Sequence, residues 1–126
     1  MSIRIAIPSL HPGGLDAMRS GHFGHCDVFT LVDIHDGDIV EVSMVSNQPH
    51  VQGGCMVPVN LLSSHGVNAI IVGGIGMRPL MGFRQAGIEV YYDPEEPNIG
   101  AVVQRMILGE LPVIGEDQVC GGAGGR

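Results

Sequence analysis

A chain of 126 residues is long enough to bury one core without disulfide or metal staples, so a single domain is expected. Its formal net charge of −7, with six basic residues that are all Arg and lie scattered, lacks the basic footprint of a nucleic-acid binder. Three cysteines make no secreted disulfide framework, no apolar run approaches the roughly 18 residues of a membrane span, and Ile3–Ile7 is too short for a signal peptide, so a cytoplasmic protein is expected.

With 44% hydrophobic residues but three Phe, two Tyr and no Trp, the core must be built from Val, Ile, Leu and Met. Ile3-Arg4-Ile5-Ala6-Ile7 alternates and is β-branched, which predicts a strand ended by Pro8. Residues 9 to 26 are rich in Gly, His and Ser and predict a long structureless loop, of the kind that carries function in a compact domain. Val28 to Ile34 predicts a second strand, Asp36-Gly37 a hairpin turn, and Ile39 to Val45 the returning strand. After a further loop, Asn47 to Gly54, a helix is expected over Cys55 to His65, with Pro58 tolerated in its first turn and Gly66 past its end. Asn68 to Val72 is almost purely apolar, as a strand covered on both faces would be. The corner Gly73-Gly74-Ile75-Gly76 leads to a helix from Arg78 to Ala86, a strand from Ile88 to Tyr92 and an acidic turn from Asp93 to Pro97. Asn98 is placed to cap a helix whose one face carries Ile99, Val102, Val103, Met106 and Ile107, stopped by Gly109 and Pro112. The order β-β-β-α-β-α-β-α predicts an α/β fold, a mixed sheet with flanking helices.

The chemistry lies in the loops. Cys26 closes Gly21-His22-Phe23-Gly24-His25-Cys26, Cys55 follows Gly53-Gly54 a few residues after His50, and Cys120 opens a Gly-rich tail. None falls in a predicted core strand, so none reads as a small packing residue. Thiolates and imidazoles on irregular backbone suit a soft metal or a metal–sulfur cluster. Cys55, at a predicted helix N-terminus, has a site that favours a thiolate, and a buried inert thiol is its bland alternative. His22, His25 and Cys26 fall within five residues, although His-x-x-x-Cys is no standard zinc spacing, and each His taken alone is more often a loop hydrogen-bonder. Cys120 fits a third ligand or an unstructured end equally well. Gly74 and Gly76 let backbone approach a ligand closely, and Arg78 sits at the same corner; the full P-loop and dinucleotide spacings are absent. His11, His35 and His65 read as surface residues. The first strand carries no carboxylate and Asp33 stands alone on the second, which argues against two-metal hydrolysis.

Taken together and in order, Ile5-Ala6-Ile7-Pro8, the Gly21–Cys26 segment with Phe29, Gly66 to Gly76, and Gly87-Ile88-Glu89-Val90-Tyr91 resemble the dinitrogenase iron–molybdenum cofactor-binding family over residues 3–111. The resemblance is to its Cys-containing branch, related to the orange protein of sulfate reducers. It implies a ribonuclease H-like fold, a five-stranded mixed sheet with flanking helices. It also implies a non-enzymatic protein that binds or carries an iron–sulfur or heterometal–sulfur (Fe/Mo/Cu) cluster, or its precursor, with cluster donor or acceptor proteins as partners.

The expectation is therefore a cofactor-binding domain over residues 1–111 and a flexible tail over 112–126 with Cys120. Metal ligands are expected among Cys26, Cys55, Cys120, His25, His22 and His50. Gly53, Gly54, Gly74, Gly76 and Arg78 are expected to make room for the cluster and offset its charge. The state is monomer or homodimer, with no nucleic acid and no membrane. Competing expectations are a metal-free module for a small anion or a protein partner, and a thiol enzyme using Cys55.

Overall fold

Eight elements follow one another in the expected order: strands β1 (Ser2–Ser9), β2 (Val28–His35) and β3 (Asp38–Ser46), helix α1 (Met56–Ser64), strand β4 (Ala69–Val72), helix α2 (Met77–Gln85), strand β5 (Glu89–Tyr92) and helix α3 (Ile99–Ile107). The structure is a computed structural model and describes residues 2–20, 26–46 and 56–115. The strands form one open sheet in the order β3-β2-β1-β4-β5. β1, β2 and β3 are antiparallel neighbours, whereas β1, β4 and β5 run parallel. Among the described residues no helix is long and apolar enough to cross a membrane.

Local chemistry sets these elements. Asp36 and Gly37 both have positive φ, 51° and 86°, the primed turn that matches the twist of a hairpin. The Asn98 side chain accepts from the Ala101 N–H at 2.8 Å and starts α3, and Gly109, with φ 75°, follows its end. Arg4 and Asp33, cross-strand neighbours on β1 and β2, form a two-pronged pair at 2.6 and 3.1 Å, so the carboxylate that stood alone in the sequence is a sheet ion pair.

Two apolar layers cover the sheet. One face carries Ala6, Phe29, Leu31, Ile70, Val72 and Val90 beneath α1 and α2, which contribute Val59, Leu62, Leu80 and Phe83. The other carries Ile5, Ile7, Val32, Ile34, Ala69 and Ile71 beneath α3, with Ile99, Val102 and Val103. Central strands buried on both faces explain the continuous apolar run of β4.

Two expectations change. β1 does not end at Pro8 but runs through Ser9, paired with β2 along its whole length. It pairs with β4 only at Ile5 and Ala6. The Pro8 carbonyl accepts from Ser20 N–H at 2.9 Å, on the side away from β2, so the missing proline N–H leaves no ladder bond unmade. Nor are residues 10–20 structureless: the chain folds back along the end of β1, with Leu10 N–H on Met18 O and a bridge between Ser9 and Arg19. The same segment clamps the start of α3, where Ile99 N–H donates to Ala17 O and Gly100 N–H to Leu15 O. Gly13 allows this path. Its φ is 82°, and a Cβ there would lie 2.8 Å from Met44 Cγ and 2.9 Å from Val28 Cγ2.

The packed chain continues beyond residue 111. Tyr92 N–H donates to Pro112 O and Ile114 N–H to Val90 O, and Ile114 is buried in the α1/α2 layer. This segment runs antiparallel to β5.

Candidate functional site

Topology gathers one end of the molecule. The parallel strands β1, β4 and β5 all finish there, β3 finishes there and β2 begins there. The helices α1, α2 and α3 follow β3, β4 and β5, so their N-termini start at the same end. Ligands of open α/β sheets bind beyond the carboxyl ends of the strands, where backbone N–H groups at helix starts are also available.

Cys26 stands at this end, immediately before β2. It is 5% exposed and belongs to the apolar cluster under α1 and α2, together with Phe29, Val59, Leu62 and Ile75. This corrects the expectation that no cysteine packs in the core. Burial pushes its thiol up to about 11, against hydrogen bonds from the Ser9 and Cys26 backbone that act the other way, with Asp27 adding to the rise. Ser9 is itself fixed: fully buried, its hydroxyl donates to Ile7 O at 2.7 Å and lies 2.7 Å from Thr30 Oγ1, which accepts from Gly14 N–H. Asp27 N–H donates to Ser9 O and its carboxylate accepts from His11 N–H.

The glycine corner lies on the same face. Ile75 buries into the cluster that holds Cys26 and anchors the loop between β4 and α2. Gly76 caps α2 in an extended conformation, φ −78°, and among the described residues no side-chain cap bonds the N–H groups at its start. Among the described residues, a Cβ at Gly76 would meet only the Pro79 ring, at ordinary contact distance, 3.7 Å. Arg78 is exposed on the first turn of α2.

Sequence reasoning missed a cation beside this corner. Arg19 donates from Nη1 to Glu96 O at 2.7 Å, and its Nη2 would lie 3.7 Å from a Cβ on Gly73. Burial lowers its pKa, countered by the charges of Asp93 and Glu96. Asp93 directly follows β5 and is 3% exposed. Its Oδ1 accepts from the N–H groups of Glu95 and Glu96, and its Oδ2 lies 3.3 Å from Arg105 Nε. Burial alone would raise the Asp93 carboxyl, but those two N–H groups and the charges of Arg105 and Arg19 outweigh it and hold it below its ordinary value. Arg19 Nε, Asp93 Oδ2 and Arg105 Nε have no hydrogen-bond partner among the described residues, so charge rather than aligned hydrogen bonds joins them. The Asp-Pro-Glu-Glu run after a strand was the available signal, an Asx turn in prospect.

Cys55, Cys120, His22, His25, His50, Gly53 and Gly54 lie outside the described residues. Among the described residues no three His, Cys, Asp or Glu side chains gather to hold a metal. Of the expected set, the structure brings Cys26, Gly74, Gly76 and Arg78 to one end of the sheet. His11, His35 and His65 are exposed, as expected.

The fold as a whole is shared with proteins of known structure. The chain belongs to the dinitrogenase iron–molybdenum cofactor family, whose sequence pattern matches residues 1–109. An uncharacterised protein of Methanocaldococcus jannaschii is 38% identical over 92 residues, covering 71% of this chain and 73% of that protein. The crystal structure of the protein PH0822 superposes with a TM-score of 0.75 at 30% identity, over 90% of this chain and 98% of that one. The apo form of the orange protein from Desulfovibrio gigas superposes with a TM-score of 0.79 at 27% identity, over 88% and 92% of the two chains.

Proposed function

We propose that this chain binds or carries a metal–sulfur cluster or its precursor, iron–sulfur or containing molybdenum or copper, at the loop end of the sheet. The observation that carries the reading is the placement of Cys26. A soft donor sits on the same face and at the same end as the starts of α1 and α2. The donor chemistry fits: a thiol that binds a metal gives up its proton, and the uncapped start of α2 offers N–H groups to sulfides. In this reading Cys26 and Cys55, the residue before α1, are thiolate ligands, with His25, His22 or His50 as imidazole ligands. Gly53, Gly54, Gly74 and Gly76 give the cluster room. Arg78 offsets its charge, and Arg19, beside Gly73, does the same from the α3 side.

Cys120 is the least constrained member. The described chain ends at Gly115 on a segment that runs antiparallel to β5, hence away from the loop end. Residues 116–120 must reverse that course for Cys120 to serve, and five residues span at most about 17 Å. The cluster itself is cargo in a non-enzymatic, cytoplasmic protein that exchanges it with donor and acceptor proteins.

The test is anaerobic purification followed by metal and acid-labile sulfide analysis and a visible spectrum. Iron, or molybdenum with copper, is expected together with sulfide and charge-transfer colour, both lost in a Cys26→Ser, Cys55→Ser double variant that keeps its fold. An unchanged metal load in that variant places the site elsewhere.

A second reading has its own observation, the burial and raised pKa of Cys26. If that thiol only packs, the protein is a metal-free module that takes a small anion or a partner protein at the Gly73–Gly76 corner beside Arg19. A colourless protein that takes up no cluster on reconstitution selects it.

A further inference from the structure

Helix α2 packs on the sheet through Pro79, Leu80, Gly82 and Phe83, all buried. Its two methionines take no part in that packing. Met77 is 40% and Met81 42% exposed, and neither belongs to either apolar layer. A single exposed apolar side chain needs no explanation. Here two sulfurs stand four positions apart within one helix, Met-Arg-Pro-Leu-Met-Gly-Phe-Arg-Gln. That spacing sets them one above the other on the same face, with about 5–6 Å between their Cβ atoms. Unbranched side chains with three rotatable bonds can close such a gap onto one ion without moving the backbone. Met77 opens α2, so the pair begins at the edge of the loop end.

The donor chemistry selects the ion. Thioethers are soft and carry no charge, which suits Cu(I), a soft monocation. They do not offset the charge of a divalent ion, and α2 supplies nothing else that could: it contains no Asp or Glu, and Arg78 stands next to Met77. Zn(II) takes thiolate, imidazole or carboxylate ligands, none of which α2 offers. We infer that Met77 and Met81 form a two-thioether site for Cu(I) on the exposed face of α2.

Two properties follow. The exposure of both side chains leaves the ion open to a further ligand from solvent or from another protein, so the site is an exchangeable one. It uses none of the cysteines, so the inference goes beyond the cluster-binding reading and stands whether or not the loop end holds a cluster.

The methionine methyl groups report the site directly. The full chain, labelled with carbon-13 at those methyls, is titrated with Cu(I) without air and followed by NMR. Two forms are compared: the wild type, in which the thiols fill first, and a Cys26→Ser, Cys55→Ser, Cys120→Ser variant, in which they do not compete. The Met77 and Met81 signals should move together and saturate with one ion, ahead of Met18 and Met44, which are 48% and 49% exposed on other elements. Zn(II) should leave the pair unmoved. Met77→Leu conserves volume and should weaken the Cu(I) response of Met81 roughly tenfold or more, because the second sulfur bond of a chelate is intramolecular. Four exposed methyls that titrate alike overturn the inference, as does a Met81 response unchanged by Met77→Leu, because the thioethers then bind singly. A pair that stays unmoved in excess Cu(I) overturns it outright, and the wild-type titration decides this even where the triple variant fails to fold.

Discussion

A thiol can be placed for metal binding and still be quiet towards electrophiles, and Cys26 separates the two properties. It is 5% exposed, with its pKa pushed up to about 11 by burial. Alkylation of Cys26 by iodoacetamide at neutral pH should therefore be slow in the native chain, rise about tenfold per pH unit towards that value, and become fast on denaturation. Mass spectrometry of the Cys26 peptide over a time course measures this, and native reaction at the rate of an open thiol contradicts the burial. Asp93 makes the opposite case, a buried group kept charged. Its folded-state pKa lies below the ordinary 3.8, so its contribution to stability is complete above roughly pH 5 and is lost as pH falls through 3.8 towards the folded value. Asp93→Asn should cost about 1–3 kcal/mol near neutral pH and flatten the acid limb of the denaturant midpoint against pH. A variant that keeps the full acid limb assigns that limb to other carboxylates.

At the scale of elements, what could be read from the chain depended on how local the deciding interaction was. Asn98 needed only its own helix: an N-cap residue before Ile99, Val102 and Val103 is visible in sequence, and the structure shows the cap bond at 2.8 Å. Asn98→Ala should lower stability by about 1 kcal/mol in thermal or urea unfolding. Pro8 was misread because its tolerance depends on β4 pairing no further than Ala6, a fact about another strand. The back-folded segment from residue 10 to residue 20 was read as loop because its partners, β2, β3 and the start of α3, are distant in the chain. Gly13→Ala tests that packing directly. A left-handed φ and contacts of 2.8 and 2.9 Å to Met44 and Val28 should together make it cost about 1–3 kcal/mol. The candidate site was legible as a set of residue types, in Cys26 and the glycine corner. The burial of Cys26 was not, because the residues clustered with it, Val59 and Leu62, Ile75, and Ile114, come from three separate segments. Arg19 and Asp93 were missed because their meaning lies in a turn and a cross-chain pair.

The whole molecule is two half-sheets joined at β1. The antiparallel half, β1 to β3, is made by neighbours in sequence, whereas the parallel half, β4 and β5, needs crossovers through α1 and α2. Both halves share the two apolar layers, so the structure should open as one unit at its centre. The amides of Ala6 and Ile70, on the strands that join the halves, should exchange hydrogen only through global unfolding, and those of residues 10–19 should exchange sooner. Exchange of Ile70 at the loop rate shows instead that the parallel half opens by itself.

The seam between the halves also orders events in time. Cys26 belongs to the half whose strand pairs form from sequence neighbours, while the corner from Gly73 to Gly76 and the covering side chains of α1 and α2 arrive with the half that emerges later from the ribosome. A nascent chain ending near β3 already exposes its first thiol but has neither the roof nor the floor around it. The burial of Cys26 is thus a mark of a docked chain: only one that has laid β4 against β1 and brought α1 and α2 over it holds a covered donor rather than a loose sulfur.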